Sequence, residues 1–195
     1  VLGGKLSKSF TDMLDKRKLQ YVDYYNREEL SVYNAVPTVE GAMRIAMQEL
    51  PVTIYNLNTL IIGFGRVGKM CADRFSAMGA KVTVAARSEK DRAWADSLKM
   101  NAVEVKDLDC LVENYDLIIN TVPALIVNKK VLEQTKRDCL IIDLASKPGG
   151  VDFAAAAEMG IKTIWALSLP GKEAPATAGR ILGSAIYNII RETGR

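Results

Sequence analysis

Gly63-Phe64-Gly65-Arg66-Val67-Gly68 places three glycines at GxGxxG spacing, directly after an apolar run and at the opening of an amphipathic one. Each glycine answers one requirement of a bound pyrophosphate. Gly63 turns the chain tightly, Gly65 lets backbone approach the phosphates, and Gly68 lets helix and strand pack closely. The helix that follows brings N–H groups and its positive dipole end to the anion, with Phe64, Arg66 and Val67 completing the binding turn. About 20 residues further on, an NAD site carries a carboxylate that accepts hydrogen bonds from the ribose 2′-OH. This chain has Ala86-Arg87-Ser88 there instead. A carboxylate repels a 2′-phosphate, whereas the Arg87 guanidinium and the Ser88 hydroxyl hold one, so this strand end predicts NADP(H). The competing reading is a solvated Arg87 paired with Glu89 or Asp91.

Two more polar phrases follow apolar runs and fall at the same crevice, because ligands of open α/β sheets lie at the carboxyl ends of the strands. Asn120-Thr121-Val122-Pro123 is placed to touch the ribose or nicotinamide. Asp143-Leu144-Ala145-Ser146-Lys147-Pro148-Gly149-Gly150 offers Lys147 to a substrate carboxylate and Asp143 to a proton or hydroxyl. Both phrases also read as ordinary turn chemistry. Glu40 is a further candidate base, on a helix opened by Pro37 whose first turn, with Thr38, faces the crevice or simply caps itself. A loop from Leu167 to Lys172 is positioned to close over the cofactor.

The 195 residues contain no histidine. That removes Ser-His-Asp and Cys-His triads, His-containing zinc sites and imidazole acid/base catalysis, and no metal site is expected. Lys and Arg number 26 against 23 acids, a net charge of +3 with the basic residues scattered, which gives no footprint for nucleic acid or an acidic membrane. Cys71, Cys110 and Cys139 are expected to be buried, reduced thiols of a cytoplasmic protein. No apolar run is long enough to span a bilayer, and no signal peptide is visible. The opening phrase Val1-Leu2-Gly3-Gly4 reads as the interior of a longer chain.

Alternating elements must position these groups. Strands are predicted at Thr59 to Ile62, Lys81 to Ala86, Ala102 to Val105, Leu117 to Ile119, Cys139 to Ile142 and Lys162 to Trp165. Helices are predicted at Arg66 to Met78, Ser88 to Met100, Asn128 to Gln134, Val151 to Met159 and Pro175 to Arg191. Strands apolar on both faces, alternating with helices, indicate an α/β fold: a doubly wound parallel sheet of the Rossmann type. Before Thr59, Leu6 to Lys18 reads as a polar helix, Leu19 to Tyr25 as extended, and Pro37 to Leu50 as a helix. Residues 1–35 are therefore expected to be the remnant of a preceding domain or an interdomain segment, and 36–195 an NADP-binding domain with a C-terminal helix.

The long phrases resemble the A-subunit family of dipicolinate synthase, from spore-forming bacteria. They are Asn34 to Ala42, Gly63 to Gly68, Ala86-Arg87, Asn120 to Pro123, Ile142 to Phe153 and Trp165 to Pro175. The family is larger by an N-terminal domain of about 100 residues. The resemblance implies formation of dipicolinate from a dihydrodipicolinate-level precursor, a small dicarboxylate, with the B subunit of dipicolinate synthase, in the mother-cell cytoplasm during sporulation. It leaves open self-association, a role as a non-catalytic scaffold for that B subunit, and reduction of another hydroxyacid or imine. The architecture is also similar to the nicotinamide domain of 2-hydroxyacid dehydrogenases. Where those enzymes carry a carboxylate-binding arginine this chain has Ser146-Lys147, and where their histidine follows a proline it has Gly171 after Pro170.

Overall fold

Two side chains with oxygens aimed at backbone N–H groups organise the first stretch of the computed structural model, which describes residues 1–194. β1 (Leu2–Gly3) pairs in parallel with β2 (Val22–Asp23), and α1 (Lys8–Lys16) connects them. Ser7 caps α1 by accepting from the Phe10 N–H. The Asp23 carboxylate accepts from the N–H groups of Lys5 at 3.0 Å, Leu6 at 2.8 Å and Tyr25 at 2.9 Å. Burial opposes its charge, but those donors outweigh burial and hold its pKa below the usual carboxylate range.

α2 (Glu28–Glu49) corrects an expectation, because it runs through Pro37 instead of starting there. An interior proline forfeits one N–H bond and crowds the preceding turn, at a cost of about 3 kcal/mol. The helix persists because Ala35, Val39, Ala42 and Ala46 form a buried stripe at helical spacing on both sides of the proline.

The nucleotide-binding pattern then unfolds along the chain: β3 (Asn58–Ile62), α3 (Arg66–Ala77), β4 (Lys81–Ala86), α4 (Glu89–Ser97) and β5 (Asn101–Glu104). After short 3-10 segments come β6 (Leu117–Asn120), α5 (Lys129–Glu133), β7 (Leu140–Asp143), α6 (Phe153–Glu158) and β8 (Thr163–Trp165). The six-stranded sheet has the order β5-β4-β3-β6-β7-β8, with every neighbouring pair parallel. This is the doubly wound α/β architecture. Alternate residues of the central strands bury on opposite faces, Ile61, Ile119 and Ile142 in one apolar cluster and Leu60, Ile118 and Ile141 in the other. Strands apolar on both faces require helices on both sides.

α7 (Leu169–Glu173) replaces the loop expected there. Pro170 lies in its first turn, where a missing N–H costs no helical bond. α8 (Pro175–Glu192) closes the chain. By internal contacts the protein divides into Val1–Pro37 with the chain from Pro170 onward, and Thr38–Leu169. The C-terminal helix thus groups with the N-terminal stretch, not with the nucleotide-binding unit as its sequence position implied. Within that first unit Arg27 donates to Glu192 through both terminal nitrogens at 2.6 and 2.8 Å and to Glu29 at 2.6 Å. Those bonds hold the Glu192 carboxyl below its usual range, and Glu29 is lowered by its own backbone N–H together with Arg27.

Cys71 and Cys139 are buried, and burial pushes each thiol up to about 12. Cys110, expected to be buried, is exposed at the end of a 3-10 segment. No helix among the described residues is long and apolar enough to cross a membrane, and no group of acidic or cysteine side chains among them is arranged to hold a metal.

Candidate functional site

Sheet register collects the predicted groups. Ala85, Ile62, Asn120, Asp143 and Trp165 are successive Cα partners in one row across β4, β3, β6, β7 and β8, at the carboxyl ends of the strands. The strand order reverses between β3 and β6, and a ligand crevice lies outside such a reversal. Gly63 follows β3 and Thr121 follows β6, so both flank that point.

The glycine turn has the geometry a pyrophosphate needs. Gly63 sits at φ +95°, a left-handed conformation, and its N–H donates to the Ala85 carbonyl at 2.9 Å. A Cβ on Gly63 would collide with Thr121 and Val122, and one on Gly68 would drive into the Gly63 carbonyl. Thr121 is held against this turn, its N–H and hydroxyl both donating to the Ile62 carbonyl at 2.9 Å. Gly65 is different. It is the N-cap of α3 without any side-chain cap, and nothing lies within 4 Å of where its Cβ would stand. Two glycines are thus required by packing. The third keeps open a space at a helix N-terminus that a side chain would otherwise occupy, and these residues fit a dinucleotide pyrophosphate.

At the end of β4 Arg87 is exposed, and its side chain makes no hydrogen bond or ion pair among the described residues. Glu89 and Asp91 are occupied elsewhere. Ser88 caps α4, accepting from the Asp91 N–H at 3.1 Å and donating to the Asp91 carboxylate at 2.7 Å. Arg92 donates to the Ala86 and Arg87 carbonyls at 3.0 and 2.9 Å and to Glu89 at 2.6 Å. The pairing of Arg87 with its acidic neighbours, which their spacing allows, is absent.

The β6 and β7 ends are closed. Asn120 and Asp143 have no exposed surface. The Asn120 amide donates to Asp143 at 2.8 Å and to the Val122 carbonyl at 3.0 Å, and its oxygen accepts from the Val122 N–H at 3.2 Å. Asp143 also accepts from Ala145 N–H at 3.0 Å and Gly150 N–H at 2.8 Å, so both of its oxygens are used. Trp165 stacks on Phe153 at 5.3 Å and donates to the Ala145 carbonyl at 3.0 Å. A turn closed by Gly149 N–H to Ser146 O at 2.8 Å then leaves Ser146, Lys147 and Pro148 exposed as a tip on a rigid base.

Glu40 is exposed and without a hydrogen bond or ion pair among the described residues. It lies within α2, not in a first turn, so no helix N-terminus accompanies it. Its neighbour Val39 packs in the same apolar cluster as Phe64 and Leu144. Gly171 and Lys172 lie in α7 rather than in a closing loop. Sequence reasoning missed Arg92; its spacing from Arg87 and Glu89 on α4 was the available signal. It also missed that Asp143 is engaged through both oxygens by donors of its own chain, which no residue type reveals.

The family described as D-isomer specific 2-hydroxyacid dehydrogenase, NAD binding domain, matches residues 16–156. The A subunit of dipicolinate synthase from Bacillus subtilis (strain 168) is 40% identical over 177 residues, covering 91% of this chain and 59% of that protein. The crystal structure of the Bacillus subtilis dipicolinate synthase A chain superposes with a TM-score of 0.94 at 36% identity, over 98% of this chain and 64% of that one. That of the A subunit from Bacillus halodurans gives 0.92 at 36% identity, over 97% and 65%. The chain therefore spans under two thirds of the length of these relatives.

Proposed function

The chain belongs to the D-isomer specific 2-hydroxyacid dehydrogenase NAD binding domain family, and from that premise we propose that it is the NADP(H)-binding part of an oxidoreductase that forms dipicolinate from dihydrodipicolinate during sporulation, together with the B subunit of dipicolinate synthase. The observation that carries this reading is an open Gly65 together with an Arg87 that has no partner among the described residues, both at the carboxyl ends of the strands. Similarity to the A subunit of dipicolinate synthase supplies the substrate class.

In this reading Gly63, Gly65, Gly68 and the first turn of α3, with Phe64, Arg66 and Val67, hold the pyrophosphate. Arg87, beside Ala86, holds the 2′-phosphate; Ser88, expected to share it, donates its only hydroxyl proton to Asp91 at 2.7 Å and so fixes the turn that carries Arg87. Thr121, held by the Ile62 carbonyl, and Val122, held by Asn120, line the nicotinamide side with Pro123. When bound, NADP⁺ supplies a hydride acceptor. Lys147 meets a substrate carboxylate as a point charge, without the bidentate fork of an arginine. Asp143 is a positioning residue: its accepted bonds from Asn120, Ala145 and Gly150 set the base from which Lys147 projects. Oxidising a dihydropyridine to an aromatic pyridine is strongly downhill, so positioning and one modest base suffice. Glu40, exposed and without a partner among the described residues, takes the proton.

A second reading is favoured by the same buried Asp143, which takes the most enclosed carboxylate of the crevice out of proton chemistry. There the chain binds dinucleotide and the B subunit provides the base. The purified protein, given precursor and NADP⁺ on its own, tests the choice. Growth of reduced-nicotinamide absorbance supports catalysis by this chain, and turnover only after the B subunit is added supports the scaffold.

A further inference from the structure

The connection between β4 and α4 consists of Arg87 and Ser88 alone, so its backbone shape decides where the Arg87 side chain leaves the sheet. Ser88 is fixed by its reciprocal bonds with Asp91. The other side of the turn is fixed by Arg92. One terminal nitrogen of its guanidinium donates to both carbonyls of the strand end, Ala86 at 3.0 Å and Arg87 at 2.9 Å. The other holds Glu89 at 2.6 Å. The Arg92 side chain is 19% exposed and that of Glu89 90%, so the base of the clamp is enclosed while the acid it holds stands in solvent, two residues from Arg87.

A released Glu89 would act against a phosphate site in two ways. It would compete for the Arg87 guanidinium as an ion pair, and it would repel a dianionic phosphate directly. With Glu89 engaged by Arg92 and Asp91 engaged by Ser88, the acids of the α4 first turn are both occupied, and Arg87 is left without a partner among the described residues.

We infer that Arg92 is a positioning residue for cofactor choice: it selects a 2′-phosphorylated dinucleotide by clamping the Ala86–Arg87 carbonyls and holding Glu89 away from Arg87. The inference rests on the NADP(H) reading proposed above. Arg92 acts through the turn and through Glu89, not by touching the phosphate.

Titration of the purified protein with NADPH and with NADH tests it. Arg92→Gln is expected to weaken NADPH about tenfold and NADH less than about twofold, since the loss falls on the phosphate alone. Adding Glu89→Gln to that variant is expected to restore most of the NADPH affinity, which a purely architectural role of Arg92 would not allow. Arg92→Lys, which keeps the cation but cannot span two carbonyls and an acid together, is the gentler variant and is expected to lose about threefold for NADPH. An unchanged NADPH/NADH ratio in Arg92→Lys or Arg92→Gln, an equal loss for both cofactors, or no recovery with Glu89→Gln overturns the inference. If the unmodified protein binds NADH as tightly as NADPH, the NADP(H) reading itself falls and takes this inference with it. A wild-type NADPH preference that survives in the Arg92 variants removes only the role of Arg92.

Discussion

At the β3–β4 end of the sheet Gly65 faces open space and Arg87 holds no partner among the described residues, whereas at the β6–β7 end Asn120 and Asp143 are wholly buried and both oxygens of Asp143 are taken. Both ends belong to one row of strand termini, and both looked like ligand groups by residue type. Their hydrogen bonding differs. A polar group satisfied by its own chain stabilises a loop; one left open at a crevice has capacity for a ligand. In the proposed reading the 2′-phosphate and pyrophosphate are held where donors are open, and the closed end supplies the fixed base for the loops that follow β6 and β7.

The largest way to break this contrast is Asp143→Ala. It strands the Asn120 amide and the Ala145 and Gly150 N–H groups in the interior, and is expected to lower unfolding free energy by about 3–5 kcal/mol in urea titration. Reaction of Cys139, just before β7, with an alkylating reagent gives a local readout. Its burial keeps the thiol near 12 and unreactive in the native protein, so labelling should quicken in Asp143→Ala and stay slow in Arg87→Ala. Stability unchanged by Asp143→Ala would mean the closed end is not a structural base.

The glycines sharpen the contrast within the open end. Gly68→Ala pushes a methyl into the Gly63 carbonyl and is expected to cost about 1–3 kcal/mol of stability, visible as a lower melting temperature. Gly65→Ala meets nothing in the protein, so its melting temperature should hold while dinucleotide affinity falls by about tenfold or more. Equal thermal loss in the two variants would erase the distinction between a packing glycine and a binding glycine. The smallest expected effect is Ser88→Ala, which removes the α4 cap for about 1 kcal/mol of stability and weakens NADPH only modestly.

Much of this was legible from local pattern. β4 spans Lys81–Ala86 as its apolar run predicted, and the three glycines fall at the turn between β3 and α3. Periodicity and turn chemistry act over a few residues, so they survive reading without a structure. Two kinds of information did not. Pro37 read as a helix start because its local rule is strong, yet a buried stripe on both sides carries α2 through it. Asp143 read as a base because a carboxylate at a strand end invites that role. Only the return of the chain at Ala145 and Gly150 reveals that its oxygens are occupied. The role of Arg92 depended on which carbonyls its guanidinium reaches, a matter of rotamer and turn shape rather than residue type.

The central claim, that Arg87 is the open partner for a 2′-phosphate, is tested most directly by binding of NADPH and NADH to the protein and to Arg87→Ala. The substitution is expected to weaken NADPH by about tenfold to a hundredfold, the worth of charge-assisted hydrogen bonds to phosphate, and to leave NADH within about twofold. Equal affinity of the unmodified protein for the two cofactors, or an NADPH affinity unmoved by Arg87→Ala, would contradict it.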